Sequence, residues 1–260
     1  MKYIDDDELR KLPGRRLAAT ETFSFDCFQG IDCFNQCCRN LNLFLYPYDV
    51  IRLKHRLAIS SDAFIDRYVA VVLRPAAFFP DVLLRMQDDN SSFCPFVTPA
   101  GCRIYADRPD TCRKFPMEVG VRHGSGPGKT ERIYIFRPPD FCRGPQQPRT
   151  WTPVGWAGGP DDRTYDQLTL EWAELKALFQ SDPWGREGSD GPKAKMAFMA
   201  VYNIDRFREF VFHSSFLKRY KVKTALIKAM EREDVALLRF GFDWVRFFVW
   251  GQKTARLRPR

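Results

Sequence analysis

After Pro47 the apolar residues Val50, Ile51, Leu53 and Leu57 recur at helical spacing, which predicts an amphipathic helix. Ser60 or Ser61 can cap a second helix carrying Phe64, Ile65, Tyr68 and Val69, so residues 47–72 read as two helices. Over residues 82–138 the period changes. The runs 82–86, 93–97, 102–105, 117–122 and 132–136 read as short strands, with turns at 88–92, 99–101 and 123–128. From Tyr165 to about Gly251 the pattern is helical again. Leu168, Leu170, Trp172, Leu175, Leu178 and Phe179 form one broad face of 166–180, and further helices are expected over 194–218, 222–231 and 233–249.

Four stretches carry no clear period. Residues 1–20 read as a polar lead-in with weak order, and 21–40 as a loop-like run punctuated by Asp, Asn and Gly. Residues 143–163 hold Gly144, Pro145, Pro148, Pro153, Gly155, Gly158, Gly159 and Pro160 and read as a linker; 252–260 is a basic tail without core residues. The predicted class is α+β. It has a lead-in at 1–20, a cysteine-rich domain at 21–145, a Gly/Pro-rich linker at 146–164, a helical region at 165–251 and the tail.

Composition changes this picture little. The 260 residues are 45% hydrophobic and 28% charged, which excludes a wholly disordered chain. Charge is more informative. Residues 191–260 hold 16 Lys and Arg against 6 Asp and Glu, whereas 1–190 hold 25 against 26. Such asymmetry fits a solvated helix face, or an acidic protein partner, nucleic acid or anionic lipid. The N-terminus, with Asp5, Asp6, Asp7 and Glu8, does not read as a signal peptide, and no run of 18 apolar residues predicts a membrane span, so a reducing cytoplasm is the expected compartment.

The candidate chemistry lies in the cysteines. Cys27, Cys33, Cys37 and Cys38 fall within twelve residues, Cys94, Cys102 and Cys112 within nineteen, and Cys142 follows; none lies in the basic helical part. Scattered core thiols would not respect that boundary, and disulfides belong to oxidising compartments. Ligation of a metal or cluster explains it best, because several thiolates must converge on one centre. All eight cysteines are therefore candidate ligands. Only Cys33-x3-Cys37 has zinc-like spacing. An all-thiolate set interleaved with Phe23, Phe25, Phe28 and Phe34, with none of His55, His123 or His213 at ligand spacing, suits an iron–sulfur cluster, with zinc as the alternative. Arg103, Arg108, Arg113 and Arg143 are candidate donors toward the thiolates or nearby carbonyls.

The run Cys27…Cys33…Cys37-Cys38, then Cys94-Pro-Phe, then Gly101-Cys102-Arg-Ile-Tyr105-x-x-Arg108-Pro109-x-x-Cys112-Arg113-x-Phe115-Pro116, then Cys142-Arg-Gly, resembles the YkgJ-type cysteine-cluster family. The resemblance covers about residues 22–145 and implies a zinc- or iron-chelating domain with eight cysteines, a four-iron cluster being the expected form. Flagellin lysine-N-methylases are more distantly similar, which leaves a protein-modifying enzyme open beside a structural, redox-sensing or electron-carrying metal protein.

Other signals carry less. Gly124-Ser-Gly-Pro-Gly128-Lys129-Thr130 fails as a phosphate loop because His123 stands where its first glycine belongs, so a hairpin tip is expected. Cys33-x3-Cys37-Cys38 lacks the spacing of a radical enzyme's cluster loop. Phe207, Phe210, Phe212 and Phe216, with Phe240, Phe242, Trp244, Phe247, Phe248 and Trp250, read as helical core.

Overall fold

The hairpin of Met117–His123 and Thr130–Phe136 is paired antiparallel from Met117↔Phe136 to His123↔Thr130. A computed structural model describes residues 3–123, 130–156 and 162–260; the expected tip at 124–128 and the linker residues Gly158, Gly159 and Pro160 lie outside them. Successive side chains of a strand face opposite sides. Here Ile133 and Ile135 pack with Ile4 and Leu9, whereas Tyr134 and Phe136 join Phe23, Phe25, Met117 and Leu17. Both faces of the sheet are therefore covered by apolar side chains.

That two-sided burial explains why the N-terminal stretch is more structured than its polarity suggests. Asp6–Lys11 is a short helix that brings Leu9 over one face, and Arg15–Leu17 pairs with the hairpin as a third strand. The Gly/Pro-rich stretch after Cys142 is likewise built in. Thr150–Trp151 pairs with Phe23–Ser24, Pro153–Trp156 forms a helical turn, and Trp151 and Trp156 pack on the apolar cluster.

The described chain divides into two compact units that do not follow its order. One comprises 3–44 and 84–173, the other 45–83 and 174–260. The first contains the three-stranded sheet, two of the two-stranded ladders and all eight cysteines. The second is mostly helical, so the fold is mixed α+β with a helical C-terminal part. The short strands expected at 93–97 and 102–105 are reduced to the ladder of Val97–Thr98 with Gly101–Cys102. Tyr105 instead opens a single helical turn, Tyr105–Asp107.

In the helical unit, Pro47–Leu57 and Ser61–Tyr68 form as expected, and Ser60 accepts the Ala63 N–H at the second cap. Val69 leaves that helix and begins the strand Val69–Val72, which pairs with Asp81–Leu84. The run 194–218 is cut into Pro192–Tyr202, Ile204–His213 and Phe216–Arg219, with Asn203 capping the second by accepting from the Arg206 N–H. Asp234–Trp250 carries the core stripe. Trp244 lies 5.6, 5.7 and 6.1 Å, ring to ring, from Phe207, Phe210 and Phe216. Gly241 permits close helix approach, since a Cβ there would stand 2.4 Å from the Ala200 carbonyl oxygen. The tail corrects its expectation: Leu257–Pro259 pairs with Tyr220–Val222 and Leu257 is 3% exposed, so the tail does contribute a core residue. One leucine in a basic run has no period to announce it. Among the described residues no helix is long and apolar enough to cross a membrane.

Candidate metal centre

Short loops with particular backbone geometry place the cysteines. Asn35 is left-handed at φ 65° and starts the 3-10 turn Gln36–Cys38, which carries Cys37 and Cys38. Their neighbours across the fold are set by main-chain bonds. The Cys94 N–H donates to the Cys38 carbonyl at 2.8 Å, and Arg39 bridges to Phe93. Three residues on, Val97 pairs with Cys102. On the other side, the Asp26 N–H donates to the Gly144 carbonyl at 3.2 Å, tying the Cys27 loop to the Cys142 loop. The Arg143 N–H donates to Cys33 Sγ at 3.2 Å. No disulfide joins the cysteines, and all eight are thiols.

The sulfurs fall into two neighbourhoods. Cys27, Cys33, Cys37 and Cys142 line one tight cavity with Phe25, Phe115, Phe141 and Gly144. Cys38, Cys94, Cys102 and Cys112 line a cavity of about 850 Å³ with Phe34, Phe96, Arg108 and Trp156, and Cys27 and Cys37 line this cavity as well as the tight one. Electrostatics follow the same division. Burial of the sulfur pushes Cys27 up to about 11, although the residue as a whole is exposed, and charge on Cys37, Cys33 and Cys142 adds to it. Burial also raises Cys142, with Cys33 and Cys37 adding to the shift, and raises Cys94, with Cys102 adding. The adjacent pair joins the neighbourhoods. The Cys38 thiol donates to Cys37, bringing Cys37 down to about 7 against its burial and pushing Cys38 far up; Cys112 and Cys94 add to the rise at Cys38.

Thiolates so placed repel one another, and an ion offsets that repulsion. Among the described residues no three Cys, His, Asp or Glu already stand closely enough to clasp one ion. The donor set nonetheless fits a thiophilic group. Sulfur dominates it, with Asp26 lining both cavities beside the thiols; no His lines either cavity among the described residues, and main-chain N–H groups of Arg143, Gly144 and Phe96 point at Cys33, Cys142 and Cys94.

Of the arginines expected as donors, two bond nearby carbonyls through their side chains. Arg108 Nε donates to the Tyr105 carbonyl at 2.9 Å and Arg113 to that of Ala106 at 3.1 Å; Arg143 reaches a thiol through its backbone. The Arg108 charge helps to lower Cys37, and the Arg103 charge works against the burial that raises Cys94. His55 stands apart in the helical unit, 2.8 Å from Asp234.

The supports that sequence reasoning passed over are aromatic and ionic. Trp151 Nε1 donates to the Phe25 carbonyl at 2.9 Å, two residues before Cys27. Trp156 Nε1 donates to the Lys114 carbonyl at 3.0 Å, two residues after Cys112. Two tryptophans in a Gly/Pro-rich stretch were the available signal. The buried Lys114 bonds Asp110 at 2.7 Å and Asp166 at 3.0 Å, which fastens the short helix Asp110–Lys114. Burial works against its charge, but the two carboxylates outweigh burial and hold its pKa above the usual lysine value.

Gly144 fits because it has no side chain: a Cβ would stand 2.3 Å from the ring of Phe25, itself 2% exposed. Gly144→Ala should therefore lower Tm and metal content together, at a cost of about 1–3 kcal/mol for overpacking. Thermal melts and metal analysis check this, and an unchanged Tm would mean the ring yields freely.

Residues 26–153 match the family model CxxCxxCC, described as a putative zinc- or iron-chelating domain. No curated protein and no solved structure matches the chain.

Proposed function

Because residues 26–153 match the model of the CxxCxxCC family, described as a putative zinc- or iron-chelating domain, we propose that Cys27, Cys33, Cys37, Cys38, Cys94, Cys102, Cys112 and Cys142 hold iron–sulfur chemistry of the four-iron type. Its role is electron carriage or redox sensing in a reducing compartment. The observation that supports this reading is that eight free thiols, from segments spread between residues 27 and 142, line two cavities without a disulfide. Iron–sulfur is favoured over zinc by the surroundings. Phe25, Phe115 and Phe141 close over one set, Phe34 and Phe96 flank the other, and N–H groups donate to sulfur, the means by which a protein tunes a cluster's potential.

The test is purification of the full chain without oxygen, followed by metal and sulfide analysis and a visible spectrum. Brown protein containing iron and acid-labile sulfide is the expected result. Colourless protein with stoichiometric zinc would replace the cluster by a structural zinc site.

The large cavity favours a second reading, an enzyme whose substrate sits beside the metal. A catalytic centre keeps an open coordination position. Cyanide added to the loaded chain should then perturb the metal's spectrum; a spectrum indifferent to cyanide removes this reading.

A further inference from the structure

We infer that the eight cysteines form two separate four-thiolate centres, one held by Cys27, Cys33, Cys37 and Cys142, the other by Cys38, Cys94, Cys102 and Cys112, with the adjacent pair Cys37-Cys38 divided between them. This rests on the reading of the domain as a metal binder and goes beyond it in number, partition and coordination.

Backbone geometry carries the division. The turn Gln36–Cys38 carries both cysteines of the pair, and of the two only Cys37 lines the tight cavity. On one side, the Asp26–Gly144 main-chain bond and the Arg143 N–H on Cys33 bring the Cys27, Cys33 and Cys142 loops together, and all three line one cavity with Cys37. On the other, Cys94 is bonded through its N–H to the Cys38 carbonyl, turns back to Val97 and is thereby placed near Cys102, opposite Val97 in the ladder. Cys112, on the helix fastened by Lys114, lines the same wide cavity as these three.

Cys27 and Cys37 line both cavities, so the division rests on the other six sulfurs. Cys33 and Cys142 are 8% and 7% exposed and lie in the aromatic cluster with Phe23 and Phe25, and neither lines the wide cavity. Cys94, Cys102 and Cys112 do not line the tight one. Four thiolates fill a tetrahedral ion or bind each iron of a four-iron cluster. Two such sets leave no position open, so a molecule in the wide cavity would touch protein rather than metal. The contact between Cys37 and Cys38 sets the two centres side by side, an arrangement suited to passing an electron between them.

The test uses the full chain purified without oxygen, with iron, zinc and sulfide measured per chain. Cys142→Ala and Cys112→Ala should each keep about half the wild-type metal, and the double variant should keep almost none. Circular dichroism checks that each variant is folded. A folded single variant that loses all its metal would overturn the partition, because it would mean one shared centre. So would a wild-type chain carrying metal for one centre only, a measurement that decides the matter even if both variants fail to fold. A wild-type chain without metal, its thiols paired as disulfides, would overturn the metal reading as well, and so is told apart from failure of the partition alone.

Discussion

Stripped of its metal, the chain should lose the fold of residues 22–44 and 84–156 while keeping most of its helix. The cysteine loops are held by short elements: a two-residue ladder at Val97–Thr98 with Gly101–Cys102, another at Phe23–Ser24 with Thr150–Trp151, and a five-residue helix around Cys112. Elements this short are not stable alone. Structural zinc contributes ~10–16 kcal/mol in small peptides, which matches or exceeds the ~5–15 kcal/mol that stabilises a whole domain. The helical unit contains no cysteine and has its own aromatic core around Trp244. Limited proteolysis of the chelated chain should therefore cut first within 22–44 and 84–123, with the far-UV helix signal largely retained. Identical cleavage patterns before and after chelation would show that the metal is a passenger rather than part of the fold.

Lys54→Met should destabilise the helical unit by about 3 kcal/mol, lowering Tm by about 6–12 °C. Lys54 is 7% exposed and its ammonium bonds Asp205 at 2.6 Å and Asp234 at 3.0 Å. Removing the cation leaves two carboxylates short of charge in a half-buried place, and breaking such a pair costs ~3–5 kcal/mol. The lower end is expected because Asp205 keeps the Ser61 N–H at 2.7 Å and Asp234 keeps Arg208. The effect has a pH signature. Burial alone would raise both aspartates, but Lys54 outweighs it, so both titrate below the ordinary carboxylate range. A lowered folded pKa gives stability that is present above the unfolded value near ~3.9 and is lost as pH falls through the folded one. The difference between wild type and Lys54→Met should thus be full at neutral pH and narrow in acid. Urea melts across that range check it, and a difference independent of pH would assign the loss to packing instead.

Legibility in the sequence followed the range of the interactions involved. The pairs 47–57 and 61–68, the hairpin strands 117–123 and 130–136, and the core helix at 234–250 were visible because period, caps and turns act within a few residues. What was misjudged depends on distant partners. Arg15–Leu17 is a strand because a hairpin more than a hundred residues later offers it an edge. Leu257 is core because Tyr220–Val222 pairs with its strand. The basic character of the C-terminal part was plain, but some of that charge is neutralised locally, Arg206 on Asp62 at 2.7 Å and Arg256 on Asp243 at 2.5 Å.

By itself the sequence determined that the chemistry is sulfur chemistry. Thiols crowded into loops, away from any histidine at ligand spacing, admit few other readings, and residue type and spacing are written in the order of the chain. Which sulfurs are neighbours was decided by tertiary structure alone. Cys37 and Cys38 are consecutive, yet only Cys37 also lines the tight cavity, where Cys33 and Cys142 stand together from opposite ends of the cysteine-bearing segment. The reason is that separation along the chain carries no information about closure once turns and ladders fold it back. A main-chain bond from Cys94 to Cys38 or from Asp26 to Gly144 exists only after the intervening residues have packed.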